Sequence, residues 1–141
     1  MAELDLAAAR KMIEAGFDYA RQHNWKLAIA VLDAGGHVVQ VSRMDGANFL
    51  APEIARGKAY AAAAWKQPSA ELATRWQGGA MYASGMVAAS GQRIVPVQGG
   101  LPIFDGVRCV GAIGASGARG NEDEDSARTG LKAAGFSETP G

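Results

Sequence analysis

Arg43 and Asp45, at the end of an expected strand, and Lys58, on an expected helix, are the side chains of this sequence best able to act together on a ligand. The glycine pair Gly99-Gly100 and the glycine-rich run from Gly111 to Gly117 complete the constellation. A guanidinium or an ammonium holds a carboxylate through charge-assisted hydrogen bonds. A carboxylate such as Asp45 moves protons, and backbone N–H groups of a Gly99-Gly100 turn stabilise a developing enolate. The structural alternative is an ion-pair network of Arg43, Asp45 and Lys58 that ties helix to sheet. His23 falls at a helix end and His37 at a strand start, positions that suit solvated or capping residues, although a neutral imidazole is also a ligand.

Other chemistries fit less well. Gly111-x-x-Gly114-x-x-Gly117 follows a strand and precedes a helix, but it lacks the G-x-G start of a dinucleotide fingerprint. The helix after it opens on Glu122, Asp123, Glu124 and Asp125, charge that repels a phosphate from its N-terminus. Ser116 stands in Gly-Ala-Ser-Gly, one residue short of a nucleophile elbow, and reads as a turn serine. No H-x-x-x-H or C-x-x-C spacing suggests a metal held by protein ligands alone.

The elements that must position these residues follow from periodicity. Leu6, Ala9, Ile13, Phe17 and Ala20 recur at helical spacing, with Asp5 as N-cap, so a first amphipathic helix spans residues 5–23. Residues 26–33 are apolar on both alternating faces and predict a central strand, paired through Ala34-Gly35-Gly36 with a second strand over 37–44. Pro52 opens an alanine-rich helix to Trp65 that can approach a sheet closely, and Ser69 to Trp76 predicts a short third helix. Residues 77–92 read as a short helix in a mobile loop, and residues 93–97 as an edge strand, because of Pro96. Leu101 to Phe104 and Val107 to Ile113 form a hairpin whose Asp105-Gly106 suits a type I′ turn. Gly111 and Gly114 inside that strand predict a bulge, or a close approach by a ligand or another backbone. A final helix is expected with Asn121 as N-cap and Glu124 completing a capping box.

At 141 residues the chain fits one domain, 1–141, large enough for a full core without staples. Lys plus Arg, 14, balances Asp plus Glu, 14, so no global field points to nucleic acid or an anionic membrane. The single cysteine, Cys109, excludes an internal disulfide and reads as a buried strand thiol. With neither a signal-peptide pattern nor a long apolar run, the expected location is the cytoplasm. Trp65, Trp76, Met81, Tyr82 and Met86 lie in one stretch with few charges, which predicts a homo-oligomer with that stretch between subunits.

The ordered set AIAVLDAGGHVVQVSRMDGA, IARGKAYAAAAWKQPS, GGLPIFDGVRCVGAIGASG and EDEDSA resembles the GlcG/HbpS family of haem-binding or haem-degradation-associated proteins, also found as the C-terminal domain of PduO-type proteins. The resemblance implies an α/β domain of the α+β type in a profilin-like layout, with helices on a central antiparallel sheet of about five strands, and assembly into oligomers. It implies haem or a related tetrapyrrole as ligand; Arg43 and Lys58 would suit its propionates, and His37, which heads a strand near the hairpin turn, is the better-placed axial metal ligand. Gly99, Gly100 and Ser116 would line the same cofactor site. Ala118 and Glu122 depart from the family pattern, which commonly has glycine and glutamine there. Because relatives occur beside small-acid catabolism, the alternative is a cofactor-free isomerase, tautomerase or lyase, with Arg43 and Asp45 catalytic.

Overall fold

The computed structural model describes residues 4–141. The order along the chain is α1 (Leu6–Gln22), β1 (Ala28–Asp33), β2 (Val38–Arg43), α2 (Ala51–Trp65), α3 (Ser69–Arg75), α4 (Ala80–Ala89), β3 (Gly100–Asp105), β4 (Arg108–Ser116) and α5 (Gly120–Ala133). Four strands form one antiparallel sheet in the order β2-β1-β4-β3, so β1 is central and buried, as its two-sided apolar pattern requires. The architecture is α+β.

The sheet separates two unlike layers. On one face α1 and α5 bury Met12, Ile13, Phe17, Ala127 and Leu131 against Leu27, Ile29, Val31, Leu101, Ile103 and Ile113, a large-residue core. On the other face α2 lays Ala51, Ala55, Ala59 and Ala62 on Ala28, Ala30, Leu32 and Ala112. Alanine against alanine lets the backbones come close, and Gly114 closes the remaining gap: a Cβ there would collide with the Ala55 carbonyl oxygen. Of the two approaches expected at this glycine, by ligand or by backbone, the structure shows the backbone. A bulge is present too, since β3 and β4 shift register between Ile103 and Phe104, leaving Val110 unpaired. The shift turns Val110 toward the α1/α5 face, where it packs on the core, against the face that strict alternation assigns it.

α1 is capped at both ends. Asp5 accepts from the Ala8 N–H at 2.8 Å. At the other end Trp25 N–H donates to Ala20 O at 2.9 Å and Asn24 N–H to Arg21 O at 3.2 Å, a Schellman motif with Asn24 in the left-handed region at φ 60°. This cap turns the chain sharply and delivers Trp25 back onto the core.

Three sequence expectations are corrected. The sheet has four strands, not about five: residues 93–97 cross α2 instead, where Val95 N–H donates to Gly57 O at 3.1 Å and Pro96 sits inside a tight turn closed by Val97 N–H to Val95 O at 2.9 Å. In the β3–β4 hairpin Asp105 pairs with Arg108, and only Gly106 has a positive φ (62°), so the type I′ turn, which needs two such residues, does not form. α5 begins earlier than expected. Its N-cap is Arg119, whose N–H donates to the Glu122 carboxylate at 3.0 Å, so Glu122 closes the capping contact assigned to Glu124.

Residues 77–92 contain the helix α4, none of whose residues is buried. After α5 the chain returns along β3: Phe104 and Ser137 exchange both backbone hydrogen bonds, and Gly141 N–H donates to Gly106 O. Arg128 anchors this return through Glu138 at 2.6 Å while also holding Glu124 and Asp125.

Candidate functional site

The residues singled out in the sequence fall into three separate places. The first surrounds Lys58, which is only 3 % exposed because α2 presses it against the sheet. Its ammonium donates to Ala115 O at 3.0 Å and to Asp123 Oδ2 at 3.1 Å. The other Asp123 oxygen accepts from Ala118 N–H at 2.9 Å, which fixes the entry to α5. Burial pushes the Asp123 carboxyl above its ordinary range, opposed by the charge of Lys58 and the Ala118 N–H. Gly99 and Gly100 border this pair, and the space a side chain would need there is taken by Lys58 itself. The Ser69 hydroxyl, buried in α3, donates to Val97 O at 2.6 Å and accepts from Gly100 N–H at 2.8 Å, which locks the turn. Ser116 ends β4 beside Ala28 and is 7 % exposed. Lys58, Gly99, Gly100 and Ser116 therefore join α2, α3, the sheet and α5.

The second place is the β1–β2 turn. Asp33 Oδ1 accepts from the N–H groups of Gly35 at 2.9 Å and His37 at 3.0 Å, and lies 3.2 Å from His37 Nδ1. Desolvation works against it, but these donors and the imidazole together outweigh it and hold the Asp33 carboxyl below its usual range. An imidazole carrying its proton on Nδ1 would donate to this carboxylate and leave Nε2, on a ring 82 % exposed, free to bind. His37, Asp33, Leu4, Arg108, Cys109 and Val110 line an open depression of about 470 Å³. Cys109 is half-buried, not buried as expected from the strand pattern, because it borders this depression.

Arg43 and Asp45 occupy the third place, at the opposite end of β2, on a cavity of about 590 Å³. Six residues separate His37 from Arg43, which at about 3.3 Å per residue puts them roughly 20 Å apart along the strand. Neither Lys58 nor the glycine turn lines that cavity. The expected grouping of Arg43, Asp45 and Lys58, whether as ligand site or ion-pair network, is not assembled.

Sequence reasoning missed the contacts of Asp33 and Asp123. The first had a readable signal: an aspartate four residues before a histidine across Ala-Gly-Gly, where a tight turn brings the two side chains together. Among the described residues no group of three His, Cys, Asp or Glu side chains converges, so an ion held by protein ligands alone has no site there.

Comparison with known proteins places these features in a family. Residues 4–132 match the model of the family described as haem degrading protein HbpS-like. The chain is 36% identical over 132 residues to a 15.0 kDa protein of the dhaT-dhaS intergenic region of Citrobacter freundii, covering 93% of this chain and 92% of that one. It is 31% identical over 109 residues to protein GlcG of Escherichia coli K12, covering 77% of each. Among solved structures, the haem complex of PduOC superposes with a TM-score of 0.87 at 25% identity, covering 98% of this chain and 99% of that one.

Proposed function

Because the chain belongs to the HbpS-like family of haem degrading proteins, we propose that it binds haem or a related tetrapyrrole, with His37 as the axial ligand. The likeness over almost the whole chain to a domain solved as a haem complex carries this reading. The His37–Asp33 pair supports the choice of ligand, since a carboxylate on Nδ1 orients the ring and raises the basicity of Nε2. Arg108, on the same depression, is placed to meet a propionate, and Leu4 and Val110 offer apolar contact to the macrocycle. Arg43 lies at the far end of the strand and Lys58 is spent on Asp123, so neither holds these propionates in this reading. Bound haem would contribute a redox-active iron; the chain contributes the oriented imidazole, the cation and the partial exclusion of water.

The cofactor-free enzyme loses its support for the same reason, because its carboxylate clamp and glycine turn do not share a cavity. We also read the chain as a cytoplasmic homo-oligomer; no helix of the described residues is long and apolar enough to cross a membrane. The test is a hemin titration of the purified apo-protein followed at the Soret band. A shifted, saturable band that is lost in His37→Ala is expected, and a spectrum identical to free hemin rejects the reading.

A further inference from the structure

The cavity at the open end of β1 and β2 carries more positive charge than its own surroundings neutralise. Lys26 and Arg43 line it without an ion pair among the described residues, facing the single acid Asp45. Arg21 also lines it, but its guanidinium is held by Asp18 at 2.6 Å. The floor is apolar and rigid. Phe17 is nearly buried; Trp25, delivered by the Schellman cap, stacks on His23 at 4.4 Å between ring centroids with the planes 15° apart. Met44 is pinned because its sulfur accepts the Leu27 N–H at 3.3 Å.

The backbone lies under the stem of Lys26, while Arg43 stands exposed on the rim. Met44 to Ala47 form a turn closed by Ala47 N–H to Met44 O at 3.1 Å, with Gly46 at φ 86°. A Cβ on Gly46 would come within 2.9 Å of Lys26 Cδ and 3.3 Å of its Nζ, so the bare glycine forms the bed on which the Lys26 stem lies. A concavity of this size, with apolar side chains below and a few exposed charges at its rim, has the usual build of a small-molecule site.

We propose that this cavity is a second binding site, separate from His37, for a planar organic carboxylate whose body lies on Trp25, Phe17 and Met44 and whose anion is met by Arg43 and Lys26. A guanidinium and an ammonium together favour a carboxylate over a neutral analogue of the same shape, and Asp45 disfavours a second negative group on its side of the rim. The proposal does not depend on haem binding. Its residues sit at the other end of β2.

The probe is 2-naphthoate, with 2-naphthalenemethanol as its neutral counterpart, titrated into the full chain by calorimetry. Saturable binding of the carboxylate is expected, with the alcohol at least about tenfold weaker and Arg43→Gln and Lys26→Gln each weakening the carboxylate by about tenfold or more. No binding of 2-naphthoate at millimolar concentration overturns the proposal, as does equal affinity for the alcohol, or variants that melt with the parent and bind as it does. Arg43→Gln should also leave the hemin Soret response unchanged. A changed response would mean that haem occupies this cavity, and would overturn the separate site.

Discussion

Lys58 and Asp123, 65 residues apart in the chain, meet at 3.1 Å with both side chains under 5 % exposed, and they join the helix of one face of the sheet to the helix of the other. Removing one partner of such a pair leaves a buried charge without compensation. Lys58→Ala or Asp123→Ala should each cost about 3–5 kcal/mol, whereas Lys58→Met with Asp123→Leu should recover much of that loss. Urea unfolding of the three variants measures the coupling; single variants as stable as the parent would disprove it.

The pair also predicts a pH dependence. Burial raises the native Asp123 carboxyl above its ordinary 3.8, so between that value and the raised one the folded chain keeps a proton that the unfolded chain has lost. This group's contribution to stability therefore declines as pH rises through the window and is constant above it. Unfolding midpoints compared between the parent and Asp123→Asn across weakly acidic pH should show this slope in the parent alone. Parallel curves would contradict it.

In the proposed haem site Asp33 would act through His37. With Asp33→Asn the imidazole keeps its place but loses the charged partner of Nδ1, and hemin affinity should fall by about 10–100-fold. His37→Ala should abolish axial ligation altogether. A hemin titration that ranks Asp33→Asn with the parent would show that the imidazole is oriented by something else.

Of the residues behind the oligomer expectation, Met81 and Tyr82 are the ones free to meet a partner. Trp76 is 6 % exposed and packs within its own chain against Leu72, Ile94 and Trp65, so it is core and not available to a partner. Met81 and Tyr82 on α4 are 89 % and 55 % exposed on a helix without a charged residue. Light scattering should return a multiple of 14.6 kDa that drops on Met81→Ser with Tyr82→Ser. A parent mass equal to one chain would rule out the assembly.

Much of the fold was legible because local chemistry and packing agree: the Asp5 cap, the two-sided apolar run of β1 and the alanine face of α2 each specify a single arrangement. Pro96 misled because proline fits an edge strand and a turn over a helix equally well, and only the contact with Gly57 decides. The Glu122 cap was misread, and the partner of Lys58 missed, for a related reason. Asp123 must be inward to meet the ammonium, which sets the start of α5 two residues earlier, and no local pattern reveals a partner 65 residues away. The site residues were found as types, but their grouping was not, since which end of β2 each one occupies decides what it can touch.

The return of residues 136–141 along β3 makes the two borders of the sheet unequal. On the β3 side the Phe104 N–H and C=O are already matched by Ser137, while among the described residues no strand lies on the outer side of β2. Strand addition by another polypeptide is thus directed to β2, and loss of the Arg128–Glu138 anchor would open a second template for intermolecular pairing. The ion pairs of Arg128 serve as a guard against aggregation as much as a contribution to the stability of α5.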